Sequence, residues 1–69
     1  MKAAKLTRSD RLQRVLAVLM DYRRHTTRDI IKNANVCAVN SIISELRANG
    51  VPILCERKGN KWFYELAVD

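Results

Sequence analysis

Four apolar positions in the middle of the chain, Val36, Val39, Ile43 and Leu46, lie three or four residues apart and so share one face of a helix. That face must be buried. Asn40, Ser41, Ser44, Glu45 and Ala48 fall on the other faces, and Asn49-Gly50 supplies the left-handed stop that ends many helices. The spacing predicts a helix over 37–49. Just before it, Asn35 is the non-glycine type that best tolerates a positive φ, and Ala34 is small enough for a tight turn between helices. A shorter helix is expected over 28–33, with Thr27 as its N-cap and Ile30 or Ile31 turned into the core ahead of Ala34.

Upstream, Leu12, Val15, Leu16, Leu19 and Tyr22 recur at helical spacing behind Ser9, a good N-cap, with Arg23-Arg24 at the negative end of the dipole. Val18 and Met20, towards the edges of this helix, add more apolar surface than three packed helices require. A homodimer seam and ordinary scattered apolar residues both account for them. His25-Thr26 reads as a short edge strand, since β-branched Thr suits one.

Downstream, Val51-Pro52 forces an extended connection, and two alternating segments flank Gly59-Asn60, a two-residue hairpin loop. The loop sets the register. Lys58 then faces Lys61, Arg57 faces Trp62, Cys55 faces Tyr64 and Ile53 faces Leu66, which makes Ile53, Cys55, Tyr64 and Leu66 the core face. Leu54, Glu56, Phe63 and Glu65 point the other way. Arg57 over Trp62 is expected to form a cation–π pair near the loop. The elements together make a small α+β fold of three helices and a C-terminal hairpin.

These residues carry a family resemblance. TTRDIIKNANVCAVNSIISELRANGVPI, followed by a strand, a glycine turn and a YEL strand, resembles the winged helix-turn-helix module of small phage and prophage DNA-binding proteins and of the N-terminal domain of biotin repressors. The likeness covers nearly all of residues 11–67. It implies a sequence-specific double-stranded DNA-binding domain, acting as a transcriptional regulator, whose third helix enters the major groove while the preceding helix crosses the backbone. Asn40, Ser41 and Ser44 become the candidates for base or groove contacts, since Asn can bond adenine bidentately and Ser either partner. Cys37 and Ala38 would face DNA at the first turn. Cys37 stands where the family usually has a capping Ser, and Ala38 where it often has a base-reading Arg, so the usual first-turn base contact does not carry over.

Charge supports a polyanionic partner. Thirteen Lys and Arg exceed seven Asp and Glu, and residues 1–28 hold the whole excess through Lys2, Lys5, Arg8, Arg11, Arg14, Arg23, Arg24 and Arg28 against Asp10 and Asp21. Residues 1–8 are therefore expected to form a flexible basic arm ahead of one winged helix-turn-helix domain over 9–69, its first seven residues mobile until DNA orders them. The alternative is a solvated tail. Phosphate contacts are assigned to Lys2, Lys5, Arg28, Lys32, Lys58 and Lys61, with Asn60 presenting an amide beside the close-approaching Gly59. A hairpin whose lysines serve only solubility is the competing account of that tip.

Sixty-nine residues suffice for one domain, and a chain this short buries only roughly 60% of its unfolded surface. No apolar run approaches the roughly 20 residues needed to cross a bilayer, and no signal-like h-region opens the chain, so a cytoplasmic, nucleoid-associated protein is expected. Cys37 and Cys55 have no metal-like spacing and are expected to be reduced thiols. His25 lacks a ligand-type neighbour at a suitable interval. No nucleophile, base and orienting group converge, and no glycine-rich phosphate loop precedes a helix, so catalysis, cofactor use and a small-molecule substrate are not expected. Two other functions fit the same fold. One is a protein-interaction adaptor with Ile42, Leu54 and Phe63 as an apolar partner surface; the other is an excision-type or architectural factor that binds DNA mainly to bend it.

Overall fold

The computed structural model describes residues 5–67. A 3-10 turn, Leu6–Arg8, leads into α1 (Asp10–Leu19), β1 (His25–Thr26), α2 (Thr27–Ala34), α3 (Val39–Ala48), β2 (Ile53–Lys58) and β3 (Lys61–Leu66). The three strands form one antiparallel sheet in the order β1-β3-β2. Among the described residues this is a small α+β domain of the winged helix-turn-helix type, with the β2-β3 hairpin as its wing.

Each boundary has a local cause. Ser9 caps α1, its hydroxyl accepting the Leu12 N–H at 3.3 Å. The helix ends at Leu19, one turn earlier than the apolar spacing predicts, because Tyr22 adopts a positive φ of 59°. Tyr22 is consequently exposed, and Arg23-Arg24 lie beyond the helix instead of completing its last turn. For α2 the N-cap is Thr26 and not Thr27: its hydroxyl accepts the Asp29 N–H at 3.1 Å while the Asp29 carboxylate accepts the Thr26 N–H at 3.2 Å. This reciprocal box satisfies two donors that a helix start leaves open. Asn35 then closes α2 in the left-handed region at φ 54°, as its type suggested.

α3 starts at Val39, two residues later than expected, so Cys37 and Ala38 belong to the turn. Its end is a glycine stop of the Schellman kind. Gly50, at φ 89°, donates to Arg47 O, and Val51 donates to Leu46 O at 3.0 Å. In the hairpin only Gly59 of the two loop residues has a positive φ, 60°, as a turn with Gly first requires. The strand register matches the expected one at all four expected pairs, from Ile53↔Leu66 to Lys58↔Lys61.

The core gathers Leu12, Val15 and Leu19 from α1, Ile30 and Ala34 from α2, Val36 from the turn, Val39, Ile42, Ile43 and Leu46 from α3, and Ile53, Tyr64 and Leu66 from the hairpin. Each fully buried Leu, Ile or Val contributes roughly 1.5–3 kcal/mol relative to exposure. Ile30 is the core member of α2, while Ile31 is exposed. Two expectations fail here. Ile42, assigned to an outer partner surface, is 1% exposed, because α1 and α2 both pack on α3 and widen its buried stripe. Cys55 shares the face of Tyr64 but is exposed, since the core ends nearer the base of the ribbon.

At the other end, Leu6 packs on the core, and its N–H donates to Asn49 Oδ1 at 3.0 Å. Residues 6 and 7 thus belong to the folded body, contrary to an arm that is unstructured through residue 7. Val18 also packs against the core, which leaves Met20 as the exposed part of the supposed seam. Among the described residues no helix is long and apolar enough to cross a membrane.

Candidate nucleic-acid interface

The start of α2, the start of α3 and the tip of the wing converge on one open groove of about 580 Å³. Arg28 stands on its α2 side, Asn40 on its α3 side, and Asn60, Lys61 and Trp62 on its wing side. Sheet pairing fixes this arrangement: β1 runs directly into α2 and is bonded to β3 through His25↔Tyr64 and Thr26↔Phe63. Among the described residues no Asp or Glu lines the groove. A second groove of about 480 Å³ continues along α3, where Ser44, Arg47 and Tyr64 contribute and Asn40 and Trp62 are shared with the first.

Asn40 is held in place from the wing. The Tyr64 hydroxyl donates to its Oδ1 at 3.0 Å, which engages the acceptor that adenine readout would use and leaves the amide N–H₂ as the outward donor. Arg47 is also occupied, donating from Nη2 to Ile53 O at 2.7 Å and to Cys55 Sγ at 3.1 Å, so it ties α3 to the edge strand. Glu45 pairs with Arg11 of α1 at 3.4 Å, and its charge is thereby partly offset. Among the described residues no side chain caps the start of α3, whose N-cap is Ala38. With Cys37 making no such bond, first-turn N–H groups stay available to an anion.

The expected contact residues therefore divide. Arg28, Asn40, Asn60 and Lys61 come together in the first groove, and Ser44 lies in the second. Ser41, Lys32, Cys37 and Ala38 are exposed without lining either groove. Lys5 is exposed just ahead of the 3-10 turn, and Lys2 lies outside the described residues. Lys58 is exposed and sits 3.8 Å from Glu56 on the outer face of the ribbon. The cation–π pair is also a different one: Arg24 lies over Phe63, 5.5 Å from the ring centroid, while Arg57 Nε donates to Gly59 O at 3.1 Å.

Trp62 and Tyr64 were not among the expected contact residues. The signal for Trp62 was present in the alternation, which places it on the face of Tyr64 and Leu66 but one step nearer the tip. His25, expected to lack a partner, has one four residues back: its Nε2 lies 2.9 and 3.0 Å from the two Asp21 carboxylate oxygens. That hydrogen bond first, and the Arg23 N–H second, hold the Asp21 carboxyl below its ordinary range. Among the described residues no group of three or more His, Cys, Asp or Glu is placed to hold a metal ion, and both cysteines are free.

Compared with protein-family models, with curated proteins and with solved structures, the chain finds no match in any of the three.

Proposed function

We propose that this chain is a sequence-specific double-stranded DNA-binding domain, a small regulator of the phage or prophage type working inside a bacterial cell. The observation that carries the reading is the groove bounded by Arg28 and Lys61, with no carboxylate among its described lining residues, which lies beside the exposed face of α3. In this reading α3 enters the major groove, with Ser41, Ser44 and the Asn40 amide at the base edges. Arg28, Lys32, Lys61 and the open first-turn N–H groups of α3 hold phosphates, and Lys58, Lys5 and Lys2 add charge at the periphery.

Selection of bound sequences from a random duplex pool tests it. Enrichment of one short motif supports the reading, and recovery of no motif with no retained duplex removes it. The bond between Tyr64 and Asn40 favours one second reading, an architectural or excision-type factor, because engaging the Asn40 acceptor shifts weight from base edges to backbone. Such a factor would retain duplex without a sharp motif and would bend it. The adaptor reading is weakened, since its surface loses Ile42 to the core.

A further inference from the structure

Trp62 forms a wall shared by the two grooves. It is 44% exposed, although Tyr64 and Leu66 on the same face of β3 are buried at 2% and 6%. The indole thus projects past the core, into a surface where apolar burial does not account for it. Around it stand the cations Arg28, Lys61 and Arg47 and the amides of Asn40 and Asn60, and among the described residues neither groove has a carboxylate. An aromatic face among cations and amides matches a polyanion whose bases are exposed: the base stacks, the phosphates meet the cations, and the amides reach the base edge. A fully paired duplex offers only base edges in its grooves, because its base faces are stacked on one another.

We propose that the surface between α3 and the wing holds an unpaired nucleobase of DNA against Trp62, with the flanking phosphates on Arg28 and Lys61. This rests on the nucleic-acid reading and adds a preference for locally unpaired DNA, such as a bulged or opened site, over a perfect duplex.

Trp62 is the single tryptophan of the chain, so its fluorescence reports this site alone. The wild-type protein is titrated with an oligothymidine strand, with a perfect duplex, and with the same duplex carrying one unpaired thymidine. Anisotropy of the labelled DNA is followed in parallel. The strand and the bulged duplex should quench Trp62 saturably, and the bulged duplex should bind on the order of tenfold more tightly than the perfect one. Trp62→Leu, which keeps apolar bulk without a π face, should lose that preference, the bulged duplex falling to the affinity of the perfect one.

Equal binding of bulged and perfect duplexes by the wild type overturns the proposal. So does a Trp62→Leu variant that keeps the preference or weakens both duplexes alike. If Trp62→Leu melts early, Trp62→Phe takes its place and should retain part of the preference; losing none of it overturns the proposal. Perfect-duplex binding with no preference for the bulge removes this inference and leaves the duplex function standing. Strand binding without duplex binding does the reverse.

Discussion

The Tyr64 hydroxyl and the Asn40 amide oxygen lie 3.0 Å apart, joining the wing to the first turn of α3 by a side-chain bond across 24 residues of sequence. Tyr64 is 2% exposed and anchored in the core, so this bond fixes the position of Asn40 as seen by a ligand. Tyr64→Phe removes only the hydroxyl. We expect a loss of about 0.5–1.5 kcal/mol in stability. The freed Asn40 acceptor should then sharpen adenine discrimination at one operator position, measured by binding to single-base variants. Unchanged discrimination would mean that Asn40 does not face a base.

The capping box at α2 predicts an asymmetry between two adjacent threonines. Thr26→Ala should cost about 0.5–2 kcal/mol, whereas Thr27→Ala should cost little, since Thr26 alone holds the Asp29 N–H. For a domain this size about 1 kcal/mol moves the midpoint by roughly 4–8 °C, which thermal melts resolve easily. The reverse order of the two variants would place the cap on Thr27.

Why Thr27 looked like the cap shows where local pattern stops. A Thr-Thr pair ahead of a helix offers two candidates, and the choice is made by β1, whose pairing with β3 holds Thr26 extended at φ −79° and ψ 164°. Tertiary pairing also set the aromatic partner of an arginine. Arg24 reaches Phe63 only because β1 lies beside β3, which spacing along the chain does not encode. The register of the hairpin was legible, because Gly59-Asn60 and strict alternation fix it locally, although how far the core reaches along the ribbon was not. Ile42 was misassigned since a stripe drawn through Val39, Ile43 and Leu46 does not say how wide it is. In the candidate site, Arg28, Asn40, Asn60 and Lys61 were legible as residue types, but their meeting in one groove depends on how the wing folds back.

The widened stripe makes its own prediction. Ile42→Ala and Ile43→Ala should each cost roughly 2–5 kcal/mol and threaten so small a fold, while Ser44→Ala should stay within about 0.5 kcal/mol. Denaturant midpoints check this. A mild Ile42→Ala would return that side chain to the surface and revive the adaptor account.

The Asp21–His25 contact predicts an acid-side dependence. The Asp21 carboxyl is depressed in the folded chain, chiefly by its bond with His25. The carboxylate therefore favours the fold fully above the ordinary Asp value, about 3.9, and that contribution disappears as pH falls through the lower folded value. Asp21→Asn should melt below the wild type near neutral pH, with the gap closing in strong acid. A gap that persists there would assign the effect to packing and not to charge.

Salt dependence of duplex binding tests the central claim most directly. If Arg28, Lys32, Lys58, Lys61, Lys5 and Lys2 each neutralise one phosphate, log Kobs against log salt should fall with a slope of about −5. Lys61→Ala should flatten it by about 1 unit, and the pair Lys58→Ala with Lys61→Ala by up to about 2, with melting temperatures hardly moved because exposed charges contribute little to stability. A slope near zero, or a doubly substituted wing that binds duplex DNA at full strength across the whole salt range, would contradict the account.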